Sequence, residues 1–313
     1  MRKMLAVLAA VASAWAGAGA AQDLPDPEAN IVEEVVVTAR LPGPAWWRVS
    51  DADTTVYIMG GPEGSLPPGL TWDKSVFERR LERAHTFITG ASIVIGISGL
   101  PAILKLRSQL KSKEPLETML PPDLRARFVI ARERLGQPAK RYAGSGPLLA
   151  GQQLVGDSRE KGRWRNIRGE IEKAAKRRRL KPWTSAELDG RPFLKSAMAS
   201  LTPQVQYQCL EAALDDVEAG RQARLAGEGW ARGDVRAALE YPRSFNRCLL
   251  LLGGGERMWR LATHNQARDV EVALKRPGHA VAVIGLRRLL ADDGVLEQLR
   301  ARGYTVRGPG EPG

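Results

Sequence analysis

Tyr57–Leu70, YIMGGPEGSLPPGL, and Ala282–Tyr304, AVIGLRRLLADDGVLEQLRARGY, decide how this chain folds. Each opens on a short apolar run that ends in glycine, Tyr57-Ile58-Met59-Gly60-Gly61 in one and Ala282-Val283-Ile284-Gly285 in the other. Such runs predict strands, with turns at the glycines. The first then breaks at Leu66-Pro67-Pro68-Gly69, and the second continues as an amphipathic helix.

Outward from these frames, strand patterns gather at the two ends of the folded region. Trp46–Val49 and Thr54–Gly60 flank the turn Ser50–Asp53. Thr86–Thr89 and Ser92–Ile97 are β-branched runs, Leu180–Trp183 is a short strand, Ala280–Ile284 follows the turn Pro277-Gly278, and Tyr304–Val306 ends the pattern. Helical spacing covers Asp73–Ala84, Leu100–Leu110, a stretch from Asp123 as N-cap to Gly136, Tyr142–Val155, Arg165–Arg179, Thr202–Gly220, Glu256–Leu274 and Asp292–Ala301. Thr184–Glu187 has capping-box spacing ahead of another helix, and Trp230–Val235 opens one more. The end strands bury themselves only by meeting in one sheet, which the helices between must cover. The expected fold is α/β or α+β: a central mixed sheet of N- and C-terminal strands under a large helical middle region. Gly61 and Gly285 then lie near each other at one edge.

The 313 residues suit one large domain or two small ones, and 43% apolar content supports a sizeable core. The formal charge of +12 is concentrated in Arg159–Lys181, REKGRWRNIRGEIEKAAKRRRLK. Ile167, Ile171, Ala174 and Ala175 fall on one helical face there, so the cations read as its solvated face. The competing reading is a grip on an anionic membrane surface or polysaccharide. Nucleic acid is not an expected partner, because the chain carries an export pattern. Arg2 and Lys3 precede an apolar run to Ala18, and Ala18-Gly19-Ala20 fits a cleavage site. Residues 1–20 therefore read as a secretory signal peptide and the expected location is the periplasm, with no membrane span after cleavage. Residues 21–44 read as a flexible leader. Within it Glu33–Arg40, EEVVVTAR, resembles the energy-coupling box of outer-membrane transport receptors, but no series of barrel strands follows. Residues 308–313 read as a loose tail.

Cys209 and Cys248 are the only cysteines. In an oxidising compartment they suggest one disulfide closing about forty residues, the alternative being two buried free thiols. No CxxC pair, Gly-x-Ser-x-Gly elbow, P-loop or dinucleotide fingerprint is present.

The two frames, with Pro122–Arg125, Arg132–Leu135, Cys209–Asp216 and Gly227–Asp234 in the same order, resemble the TraB/GumN family over roughly residues 44–307. The resemblance implies one domain over residues 45–307. It also implies a metal site, since relatives carry Gly-Thr-x-His in the first frame, Gly-Ala-x-His-Leu in the second, and a strand-ending glutamate between them. Imidazoles and a carboxylate hold a cation that acidifies a bound water. At the matching positions this chain has Gly64, Arg288 and Gly90. Arginine is permanently charged and does not ligate metals. The expectation is therefore no metal and no cofactor, and a non-catalytic envelope protein with an anion- or glycan-binding cleft. An acidic glycan, a peptide carboxylate or a membrane surface are the candidate partners. The alternative is a metal-dependent hydrolase with a shifted site, for which Glu63, His85 and His264 are the available groups. Candidate binding residues are Glu63, His85, His264, Asn265 and Arg288; His264-Asn265 stands where relatives have Arg-Asn. The oligomeric state is not legible.

Overall fold

A computed structural model of the chain describes residues 41–310 apart from 91, 185 and 186. The expected signal peptide, the EEVVVTAR segment and residues 311–313 lie outside the described residues.

β1 (Trp46–Ser50) and β2 (Thr54–Gly61) pair antiparallel as a hairpin, with Trp46 opposite Met59. Asp51 closes the turn by accepting the Thr54 N–H at 2.9 Å. Then follow α1 (Ser75–Leu81), β3 (Phe87–Ile88), β4 (Ser92–Val94), α2 (Leu100–Gln109), α3 (Leu116–Met119), α4 (Pro122–Arg134), α5 (Pro147–Lys161) and α6 (Arg168–Arg177). The chain continues through β5 (Pro182–Trp183), β6 (Glu187–Asp189), α7 (Arg191–Ser200), α8 (Pro203–Glu218), α9 (Gly220–Ala231), α10 (Val235–Leu239) and α11 (Ser244–Leu251). It ends with α12 (Gly255–Leu274), β7 (Gly278–Gly285), α13 (Leu286–Leu290), α14 (Val295–Ala301) and β8 (Thr305–Arg307).

The expected mixed sheet forms from both chain ends, six strands in the order β5-β3-β7-β2-β1-β8. β2, β3, β5 and β7 run parallel, and β1 and β8 are antiparallel to their neighbours. β7 lies between β3 and β2, and pairs with β2 in register from Thr54–Gly278 to Gly61–Gly285. A central parallel strand is covered on both faces, and its run Ala280-Val281-Ala282 is fully buried. The sheet core is built from Trp47, Ile58, Met59 and Ile88, with Ile171, Val270, Leu289 and Leu299 from the helices around it. The helical middle has its own apolar clusters, Phe128, Leu154 and Leu210 in one and Leu148, Ala213 and Phe245 in another. Cys209 and Cys248 form a disulfide between α8 and α11 with Cα atoms 5.4 Å apart, which removes the free-thiol alternative. Among the described residues no helix is long and apolar enough to cross a membrane.

Several expected boundaries move for local reasons. The first helix starts at Ser75, two residues past Asp73, whose carboxylate accepts the Ser75 N–H at 2.7 Å. Asp123 sits in the first turn of α4 behind Pro121 and Pro122 rather than at its N-cap. Tyr142 precedes α5, which starts at Pro147. No helix follows Thr184 directly: Glu187 lies in β6, paired with β4 in a separate two-stranded sheet, and the Thr184 hydroxyl donates to Asp269 at 2.7 Å. Trp230 closes α9 instead of opening a helix, and its indole N–H donates to the Gly60 carbonyl at 2.7 Å.

Candidate functional site

Parallel strands deliver their chain direction to one edge, and the crevice beyond their carboxyl ends is where α/β sheets hold ligands. Here β2 ends at Gly61, β7 at Gly285, and β3 is followed by Thr89 and Gly90. These residues line one open cleft with about 1070 Å³ of empty space. Gly64, Gly90 and Arg288, distant in sequence, all border it. The far wall is the start of α6: Asn166, Ile167, Arg168, Ile171 and Glu172.

The cleft is cationic. Arg159, Arg168 and Arg288 line it beside the carboxylates of Glu63 and Glu172, and Arg159 also faces the Asp216 carboxyl and the Tyr241 hydroxyl. The Glu63 side chain is only 5% exposed, and its oxygens are held from three directions. Arg243 approaches at 3.0 Å, the Arg287 backbone N–H donates at 2.9 Å, and the Arg287 Nε lies 3.7 Å away. Arg287 also donates to the carbonyls of Leu239 and Tyr241, tying the end of α10 to the start of α13. Arg243 has left-handed backbone, φ 50°, just before α11. The following N–H groups of Ser244 and Phe245 donate to Asp216 at 2.7 and 3.2 Å, and burial pushes the Asp216 carboxyl above the ordinary carboxylate range. Glu63 is thus the counter-ion of a buried arginine pair, and the next residue, Arg288, supplies positive charge to the cleft.

Two features surround the replaced positions. A Cβ built on Gly90 would stand 3.6 Å from Gln266 Nε2 and 3.9 Å from Arg168 Nη2. Gln266 is 1% exposed, yet its Oε1 lacks a hydrogen-bond partner within the protein. A buried amide oxygen without a partner is costly, and Gln266 stands in the wall of the cleft. A Cβ on Gly64 would stand 3.3 Å from the Tyr241 ring, so that ring fills the space beside position 64. Behind the Pro62–Ser65 segment lies a second, smaller pocket bounded by Leu66, Val155, Trp164, Trp230 and Tyr241.

The donor set does not fit the metal that the family resemblance implies. Glycine at 64 and 90 offers no side-chain donor, Arg288 offers only N–H donors, and Glu63 is committed to arginines. Nor does the fold bring the alternative ligands together. His85 donates its backbone N–H to the His279 carbonyl at 2.9 Å, at the opposite end of β7 from Gly285. Six residues of strand separate those ends by roughly 20 Å. His85 Nδ1 bonds the Thr86 hydroxyl at 2.9 Å, and burial holds its pKa below the ordinary histidine value. His264 is exposed on α12, with Nδ1 3.4 Å from Arg302, the residue that follows α14. Asn265, half-buried on the same helix, is not among the residues bordering the cleft. Among the described residues no group of three or more His, Cys, Asp or Glu could hold a metal ion.

Of the five candidate residues, the structure therefore brings only Glu63 and Arg288 to one place. Sequence reading missed Arg159, Arg168, Arg243, Arg287 and Gln266. Arg159 and Arg168 were hidden in a basic run that looked uniformly solvated. Gln266 carried a legible signal: it falls at helical spacing with Ala262, Thr263, Ala267 and Val270 on the buried face of α12, where a polar residue needs a reason.

The profile of the TraB/PrgY/gumN family matches residues 45–308. Neither a curated protein nor a solved structure matches the chain significantly.

Proposed function

The chain belongs to the TraB/PrgY/gumN family, and from that premise we propose that it is an exported, non-catalytic member whose cleft binds anionic groups of a glycan or peptide. The observation that carries the reading is the convergence of Arg159, Arg168 and Arg288 on the cleft where Gly64 and Gly90 also meet. A metal site would concentrate carboxylates and imidazoles there; this one concentrates guanidinium groups, whose planar fork matches a carboxylate or sulfate.

The protein's own groups divide the work. Glu63 fixes the start of α13 through the Arg287 N–H, and so sets where Arg288 stands. Arg243, held at the start of α11 by Asp216, neutralises Glu63 so that its charge does not cancel the cleft's cations. The unpartnered Gln266 Oε1 accepts from a ligand hydroxyl or amide N–H. The disulfide fits export to an oxidising compartment, as the signal pattern of residues 1–20 does.

Elemental analysis of untagged protein tests it against the hydrolase alternative. The expected result is a divalent-metal content far below one ion per chain. A stoichiometric ion lost on Glu63→Gln substitution would overturn the reading.

A further inference from the structure

Residues 94–104 leave an apolar surface uncovered. Ile97 is 92% exposed, Leu104 58%, Leu100 52%, Val94 39% and Ile103 38%. α2 has no buried residue; it rests against α7, and Ala102 and Leu106 are half-buried positions on it. Leu100, Leu104 and Arg107 are spaced four and three apart, so they form one stripe along α2, with Ile103 beside it and Ile97 in the 3-10 turn just ahead. A contiguous exposed apolar stripe on a folded chain marks an interaction surface.

The charge along the segment that carries the stripe has one sign. From Arg83 to Lys113 the sequence contains no Asp or Glu, while Arg83, Lys105, Arg107, Lys111 and Lys113 are basic. Of these, Lys105, Arg107, Lys111 and Lys113 are exposed on and just after α2. Glu114 follows Lys113 directly, and Glu187 and Asp189 lie on the strand paired with β4, where Asp189 is bound to Arg191 at 2.8 Å. We propose that this face docks on the surface of an anionic lipid bilayer. Leu100, Ile103, Leu104 and Ile97 enter the headgroup–acyl boundary, and the lysines and arginines meet the lipid phosphates. A second copy of the chain would set these cations against their own kind, whereas anionic headgroups complement them. The membrane face is independent of the cleft: none of its residues lines the cleft, and α2 binding needs no ligand there.

Co-sedimentation of the full chain with phosphatidylcholine vesicles, with and without phosphatidylglycerol, tests the assignment. Wild type and variants carry the same residues 1–40, so that segment contributes equally to each. The chain pellets with the anionic vesicles and far less with the neutral ones. Leu100→Ser with Leu104→Ser lowers the partition at least about tenfold, and Lys105→Gln with Arg107→Gln lowers it by roughly the same factor at low salt. Lys176→Glu on the exposed face of α6 leaves it within about twofold. The substituted positions are exposed, so circular dichroism should be unchanged in all of them. Failure of wild type to bind anionic vesicles overturns the proposal, and so does equal binding by the stripe variant. A concentration-dependent dimer that the stripe variant loses, without vesicle binding, overturns it in favour of self-association.

Discussion

The Glu63 carboxylate lies 3.0 Å from the Arg243 guanidinium, and the two side chains are only 5% and 9% exposed. The pair sits directly behind the cleft and joins three elements that are distant in sequence: the end of β2, the start of α11 and, through Arg287, the start of α13. Removing one partner of such a pair leaves an uncompensated buried charge. Glu63→Ala should therefore cost about 3–5 kcal/mol, read as a lower urea midpoint with unchanged slope. A midpoint within error of wild type would show that the carboxylate is not the counter-ion described.

Gly90 has ordinary backbone and ordinary space beyond it, the nearest side-chain atom being 3.6 Å from a built Cβ. Gly90→Glu should leave stability within about 1 kcal/mol. Its carboxylate should then pair with Arg168 and occupy the cleft, abolishing binding of carboxylate ligands. Thermal melts and a binding titration on the same sample check both halves, and undiminished binding would place the ligand elsewhere.

The Cys209–Cys248 bond links α8 to α11 across 39 residues of sequence. Cys209→Ala with Cys248→Ala should lose about 3–4 kcal/mol, measured as denaturation with and without reductant. Reductant should lower the wild-type midpoint and leave the double variant where it is.

Asp157 accepts hydrogen bonds from Arg141 at 2.8 Å and from the Tyr142 hydroxyl at 2.7 Å. Chiefly through the Arg141 bond, its pKa lies below the ordinary 3.8. A lowered folded pKa means stability that is present above the unfolded value and lost as pH falls through the folded one. Asp157→Asn should therefore cost about 2 kcal/mol at neutral pH and progressively less below pH 4. A pH-independent difference would indicate lost packing instead.

The sheet was legible from sequence because its strands are apolar runs ended by glycine, and Gly61 and Gly285 do lie side by side in register. Helix ends were harder: Pro147 and Pro122 set starts that periodicity alone extends or shifts. The three positions that depart from the family pattern, Gly64, Gly90 and Arg288, do border one cleft. What escaped was the role of Glu63 and its arginines. The pairing of Glu63 with Arg243 spans 180 positions and follows no local pattern. His85 and His264 have the chemistry of ligands, but β7 holds one away from the cleft and Arg302 engages the other.

The proposed affinity of the cleft for anions rests most directly on Arg288. Titration calorimetry with trigalacturonate and with an N-acetylated tripeptide, each compared with its methyl ester, reads that dependence. At least one free carboxylate should bind wild type, its ester should not, and Arg288→Gln should weaken the carboxylate by about 10-fold or more. Binding of neither carboxylate to wild type, or equal binding to wild type and Arg288→Gln, would contradict the account.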